Sequence, residues 1–233
     1  MTLLTSAALA EAGFRHAFPT RDTPDAALFE ALGGAAPAPA GSSVIQVKQV
    51  HGARAVLAAE AAGQEGDALV ARAGDGAVGV RVADCVPVLV ADPASGAVAA
   101  IHAGWRGVVG GVLGAGVGLL AELRDAAARE PHALAGRGLV AAIGPCIGPC
   151  CFEVGRDVAD KIGFVAREQG DKAYVDLRAA VRAQLRALGL ADASIDDVPG
   201  CTKHEPERFH SFRRDGANSG RMLAAIAPRS SRR

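Results

Sequence analysis

Three short segments of the 233-residue chain place an imidazole or a thiol where an apolar run ends. They are Gln49-Val50-His51-Gly52, Ala83-Asp84-Cys85-Val86-Pro87 and His102-Ala103-Gly104-Trp105-Arg106-Gly107. Two imidazoles and one thiolate make a sensible ligand set for a catalytic zinc, which takes three protein ligands and keeps a fourth position for water. Such a set leaves a net charge near +1, which draws the pKa of a bound water toward neutrality. The separations of 34 and 17 positions match no zinc-finger spacing. Residue types alone therefore leave two further readings open. One is a pair of buried, hydrogen-bonded histidines beside an inert core cysteine. The other is a metal-free pair in which His51 or His102 activates Cys85 as a nucleophile.

The elements that must position these groups are short. β-Branched runs at 44–50, 67–71, 77–82, 86–91 and 97–101, each bounded by Gly, Asp or Pro, predict strands. Asp92-Pro93-Ala94-Ser95-Gly96 joins two of them as a hairpin turn, which implies antiparallel pairing. Helical spacing of Val108, Val112, Leu119, Leu120 and Leu123 predicts a helix over 107–129, whose many glycines require burial against a sheet. A buried strand is expected at 139–143, helices at 153–168 and 176–188, and a last strand at 222–227. Residues 22–43, rich in Pro, Gly and Ala, predict a loop or short helix with a flexible exit. No repeat and no long linker divides the chain. The expected fold class is α+β, a single compact domain over 1–233 with mixed or antiparallel sheets and flanking helices, residues 1–13 and 228–233 being peripheral.

Composition narrows the functions. Lys plus Arg and Asp plus Glu are 25 each, so the formal net charge is zero, against the basic excess usual in nucleic-acid binders. No membrane-spanning run and no basic leader region precede the first acidic residue, Glu11. Five cysteines, two of them adjacent, make a poor disulfide framework and point to a reduced, cytoplasmic protein. The 51 alanines, and 21 arginines against 4 lysines, read as coding bias, which makes many stretches look helical.

The segments VKQVHG, ADCVPVLVAD, AAIHAGWRG, AAIGPCIGPCCFEVG and FHSFRRDGANSGRM occur here in that order. Together, over about residues 14–227, they closely resemble the laccase-domain proteins, formerly described as polyphenol or multicopper oxidases. The resemblance implies a zinc-dependent purine nucleoside phosphorylase with further adenosine deaminase and S-methyl-5′-thioadenosine phosphorylase activity. It implies that His51, Cys85 and His102 are both the metal ligands and the catalytic residues, with zinc the expected cofactor and copper the alternative metal. It implies purine nucleosides and phosphate as the small-molecule partners; the charge balance and the lack of an apolar span add no nucleic acid and no membrane, and a monomer is expected. It further implies an architecture similar to the catalytic domain of the cytotoxic necrotizing factor toxins, whose Cys–His pair gives the metal-free hydrolase reading a precedent.

The chain departs from the family pattern after His16-Ala17-Phe18-Pro19-Thr20-Arg21, where Asp22-Thr23-Pro24 replaces a glycine- and serine-bearing stretch. Arg21 is a candidate phosphate or substrate ligand, since a guanidinium holds phosphate bidentately, and a plain surface arginine is the alternative. Arg213, with Arg214, is a candidate for the substrate pocket or for a structural ion pair. Asp84 is the candidate acid–base group, or a turn cap. His210 reads as a packing substitution and not as a fourth ligand. Cys146, Cys150 and Cys151 lack a matching distant pair and read as small apolar fillers of a tight turn rather than as a second metal site. A multicopper oxidase would need far more than the six histidines present. An interaction domain with a vestigial pocket is the non-enzymatic alternative.

Overall fold

The computed structural model describes residues 2–34, 44–124 and 135–229. At its centre is a six-stranded mixed sheet, whose strands Ile195–Asp197, Val140–Ile143, Val86–Ala91, Val98–Ala103, Ala68–Ala71 and Ala55–Leu57 neighbour one another in that order. The two outermost pairings are parallel and the inner three antiparallel. The expected hairpin is present, pairing Val86 with Ala103 through Ala91 with Val98.

Both faces of this sheet are buried, and the two-residue period of the strands assigns side chains to each. Val86, Val88, Val90, Ala99 and Ile101 join one core with the helices Trp105–Gly110, Val112–Glu122 and Leu177–Ala187. Leu89, Ala91, Val98 and Ala100 join another, shared with a four-stranded antiparallel sheet of Leu3–Leu4, His16–Pro19, Met222–Ile226 and Val78–Val82. This double burial is why strands 86–91 and 98–103 read as continuous apolar runs.

Some expected elements were drawn differently. The helix expected over 107–129 is two helices, separated at Gly111 by a left-handed conformation (φ +86°) that favours glycine; residues 125–129 lie outside the described part. Within the second helix, a Cβ on Gly116 would sit 2.7 Å from Ile101 Cδ1, so glycine permits the close approach of helix to sheet. The helix expected over 153–168 is a strand Glu153–Gly155, a helix Arg156–Ile162 and a strand Val165–Gln169. The outer strands pair with Lys172–Val175 in a small antiparallel sheet, and Gly155 and Gly163 bracket the helix. The strand expected over 44–50 forms only isolated bridges at Ile45 and Lys48. Within 22–43, Asp25–Ala31 is helical, and 35–43 lie outside the described residues.

The N-terminal residues are not peripheral. Leu3 and Leu4 pair with Pro19 and Phe18, and fully buried Leu9 packs in the core between the sheets. Among the described residues, no helix is long and apolar enough to cross a membrane.

Candidate functional site

His51, Cys85 and His102, separated widely in sequence, meet in a cleft of about 590 Å³. Their metal-capable ring nitrogens and sulfur all lie within 4.8 Å of one another. The histidine rings meet edge to face, with centroids 4.8 Å apart. His102 lies on strand Val98–Ala103, buried, while Cys85 sits in the turn between strands Val78–Val82 and Val86–Ala91. His51 is exposed in the loop before Ala55.

Asp67, which in the sequence looks only like the start of a strand, organises this cluster. It is fully buried. Its Oδ1 accepts from His102 Nδ1 at 2.7 Å and from the His51 backbone N–H at 3.0 Å. Its Oδ2 accepts from the backbone N–H groups of Gly52 at 2.7 Å and Val50 at 3.3 Å. Its own carbonyl accepts from the His102 N–H at 2.7 Å. One carboxylate thus fixes the loop carrying one imidazole and the ring of the other. A carboxylate that receives Nδ1–H leaves Nε2 as the basic atom of His102, the usual arrangement behind a metal-binding histidine.

The electrostatics follow from that packing. Burial opposes ionisation of the Cys85 thiol, but hydrogen bonding and charge from His102 and His51 outweigh it and bring its pKa down to about 7. Burial likewise opposes protonation of His102, but Asp67 and Cys85 overcome it and raise its pKa to about 9. Burial would raise the Asp67 carboxyl as well, yet His102 and the donors of the 50–52 loop hold it below the ordinary carboxylate range.

Local backbone geometry supports the convergence. His51 (φ +58°) and Asp84 (φ +91°) both occupy the left-handed region, which non-glycine residues enter at a cost and hold only where the surroundings enforce it. Gly104 faces the cluster: an added Cβ would stand 3.1 Å from Cys85 Sγ and 3.3 Å from His51 Cδ2.

The remaining candidates divide. Arg213 lines the cleft, and its Nη1 donates to the Glu153 carbonyl at 2.7 Å. Arg21 does not line it. Its Nη1 donates to the Pro206 carbonyl at 2.6 Å and its side chain lies 3.8 Å from Asp22, so the altered stretch after it leaves it a surface role. Arg214 pairs with Asp215 at 2.8 Å and donates to three backbone carbonyls, which makes it structural. Asp84 faces the cleft, but both oxygens are engaged at 2.6 Å, one by Thr202 Oγ1 and one by the Arg213 backbone N–H. It is a clamp between segments rather than a free acid–base group. His210 lies against Gly220, away from the cleft lining, in keeping with a packing role.

Arg106 follows the only Trp of the sequence and is a further cleft residue. It lines the cleft, stacks over the Trp105 ring at 4.7 Å, and has no acidic partner among the described residues. Trp105, Phe152 and Phe212 supply aromatic wall.

The two-nitrogen, one-sulfur donor set fits a zinc ion with one open position, because three converging ligands are present and Asp67 fixes the tautomer of one.

A family model described as multi-copper polyphenol oxidoreductase laccase matches residues 25–229. An adenosine deaminase, RL5, from an unknown prokaryotic organism is 40% identical over 176 residues, 72% of this chain and 64% of that protein. A purine nucleoside phosphorylase of Bacteroides thetaiotaomicron is 37% identical over 171 residues, 69% of this chain and 60% of the relative. The chain thus spans somewhat under two thirds of the length of these relatives. The crystal structure of a Neisseria meningitidis protein superposes with a TM-score of 0.76 at 31% identity, covering 99% of this chain and 100% of that one.

Proposed function

This chain belongs to the laccase-domain family, and from that membership and the geometry of the cleft we propose that it is a zinc-dependent purine nucleoside phosphorylase. The substrates are adenosine, inosine or guanosine with phosphate, and the products the free base and ribose 1-phosphate. Adenosine deamination and phosphorolysis of S-methyl-5′-thioadenosine are further activities of the same pocket in this reading. The observation that carries it is the meeting of His51, Cys85 and His102 in one cleft that also holds aromatic faces and, among the described residues, an arginine without an acidic partner. A cleft of about 590 Å³ lies within the range of small-molecule sites.

In phosphorolysis a phosphate oxygen bonds to C1′ as the C1′–N9 bond breaks, and the base departs with the bonding pair and gains a proton. His51, Cys85 and His102 would hold the zinc, which when bound supplies Lewis-acid polarisation at its open position. Asp67 keeps the ring of His102 and the loop of His51 in place, so the site needs no rearrangement as charge develops. Arg106, in place of Arg21, receives phosphate through its paired N–H groups, and Arg213 adds positive charge to the same cleft. Trp105, Phe152 and Phe212 offer faces for a purine and exclude water around it. Because the formal net charge is zero, capture of the anion falls to these local cations.

A second reading has a specific observation behind it. Asp67, His102 and Cys85 form a carboxylate–imidazole–thiol relay, and the thiol pKa of about 7 makes a thiolate available at neutral pH without a metal. The copper oxidase reading has less support, since among the described residues two histidines line the cleft.

The deciding experiment incubates the purified protein with inosine, with and without phosphate, and follows hypoxanthine by chromatography beside the Cys85→Ala variant and a chelator-treated sample. The proposal expects phosphate-dependent release that falls by ~10³-fold in the variant and returns to the chelated wild type on adding zinc. Release that ignores phosphate, or that persists after chelation but not after Cys85→Ala, would favour the metal-free reading.

A further inference from the structure

Outside the cleft, a second cluster of ligand-type side chains forms where two turns meet. Cys150 and Cys151 come from one turn and Cys201 and His204 from the other, and their sulfur and ring nitrogen atoms all lie within 4.8 Å of one another. The Cys150 sulfur is 3.5 Å from that of Cys151, 3.6 Å from that of Cys201 and 3.4 Å from His204 Nδ1; Cys151 Sγ is 3.7 Å from the same nitrogen. A tetrahedral zinc with Zn–S near 2.3 Å and Zn–N near 2.0–2.1 Å requires ligand–ligand edges of about 3.5–3.8 Å. Four of the six edges, at 3.4–3.7 Å, stand close to those lengths, and the remaining two, from Cys201 to Cys151 and to His204, lie within 4.8 Å. A disulfide needs its sulfurs at about 2.05 Å.

We propose that Cys150, Cys151, Cys201 and His204 form a closed Cys3His zinc site, structural in role and separate from the His51, Cys85 and His102 cluster.

The backbone around the four ligands has the order such a site needs. Gly148 O accepts from the N–H groups of Cys151 and Phe152, both at 2.9 Å, which closes the first turn. Cys201 O accepts from the N–H groups of His204 at 3.1 Å and Glu205 at 3.0 Å, which closes the second and brings the ligands of the Cys-x2-His unit together. The Gly148 N–H donates to Cys201 Sγ at 3.3 Å, a bond from one turn to a ligand on the other that favours the thiolate. Four protein donors fill a tetrahedron, so no position remains for water or substrate. Three thiolates also select a soft or borderline metal over magnesium or calcium.

Cys146, the other cysteine of this region, is fully buried and stands outside the ligand set beside Arg178; burial pushes its thiol up to about 11 despite that guanidinium. The matching pair that the Cys-x3-Cys-Cys stretch lacks nearby is thus supplied some fifty positions later by Cys201 and His204. The zinc would tie two segments that otherwise meet across a long loop, where a cross-link constrains the unfolded chain most. Those segments also serve the cleft: Ile147 and Phe152 line it beside the first turn, and Thr202, between the two ligands of the second, donates to Asp84 next to Cys85.

The test measures zinc per chain, by plasma emission on reduced, full-length protein, in four forms: wild type, Cys201→Ser, His204→Ala and His204→Cys. The expected result is a loss of about one zinc from Cys201→Ser and His204→Ala relative to wild type, with retention in His204→Cys, which keeps four donors. Cobalt substitution in a Cys85→Ala background provides a second readout that survives failure of the phosphorylase reading. Intense sulfur-to-cobalt absorption should remain in Cys85→Ala and disappear when His204→Ala is added. Zinc content unchanged in both Cys201→Ser and His204→Ala, no thiolate–cobalt absorption in Cys85→Ala, or a native mass 2 Da lighter from a Cys150–Cys201 disulfide would each overturn the proposal.

Discussion

The two ligand clusters of this molecule use the same side-chain types on different supports. His102 lies on a buried strand, Cys85 in the turn ahead of another and His51 in a loop; one buried aspartate braces both histidines, and the three open into a cleft. Cys150, Cys151, Cys201 and His204 sit on surface turns braced by backbone hydrogen bonds, and they close on themselves. The difference separates the tasks. Three donors with an open side on a buried scaffold suit chemistry, whereas four donors that close on themselves suit cross-linking, because a metal there would tie the two turns together.

The comparison breaks most readily at Asp67. Asp67→Asn keeps the shape but removes the charge that orients His102 and gathers the 50–52 loop, so metal affinity or activity at the cleft should fall by ~10–100-fold. Zinc retained by the Cys150 cluster should not change, and a metal titration of the Cys201→Ser background against its Asp67→Asn derivative would read the cleft alone. A smaller effect is expected at Gly104→Ala. Its Cβ would meet Cys85 Sγ at 3.1 Å, closer than ordinary contact, and the displaced sulfur should lower kcat/KM by ~10-fold while leaving the melting temperature near wild type.

The smallest effect distinguishes two buried histidines by sign. His102 is raised to about 9 by Asp67 and Cys85 in spite of burial, whereas burial lowers the pKa of His16 against weaker opposition from Phe14 O and Asp196. His16 Nδ1 bonds to Phe14 O at 2.9 Å and its Nε2 accepts from the Ser6 N–H at 2.8 Å, so the fold holds the neutral ring. Below the ordinary histidine value of about 6.5 the unfolded chain binds a proton that the folded chain resists. Stability from His16 is therefore full above that pH and is lost as pH falls through the lowered folded value. Urea midpoints should decline from pH 7.5 to 5.5, and His16→Gln should flatten that slope even though it lowers the midpoint at pH 7.5.

What could be read in the sequence follows the same division. The hairpin 86–91/97–101 was legible because alternating buried faces and an Asp-Pro-Ala-Ser-Gly turn are local signals. The three cleft ligands were legible because each stands at the end of an apolar run in the sequence, although His51 lies in a loop and His102 within its strand. Asp67 was not, since an aspartate ahead of Ala68-Leu69-Val70-Ala71 looks like strand punctuation and its partners lie at 50–52 and 102. Arg106 could have been found as the cation of a His-Ala-Gly-Trp-Arg segment aimed at an anionic substrate. The Cys201-Thr202-Lys203-His204 unit had a ligand spacing of its own, but no signal within the turn at 146–151 reaches across fifty residues to it. The helix expected over 153–168 is shorter because Gly155 and Gly163 bracket its middle, while the pairing of its two ends with Lys172–Val175 is decided by contacts outside the segment.

In the proposed reaction the cleft transfers the ribosyl group of a purine nucleoside to phosphate, and phosphorus NMR of a mixture of zinc-loaded protein, inosine and inorganic phosphate follows that transfer. A ribose 1-phosphate resonance should grow in step with hypoxanthine while inorganic phosphate declines by the same amount. Hypoxanthine accompanied by free ribose and an unchanged phosphate signal would rule the transfer out.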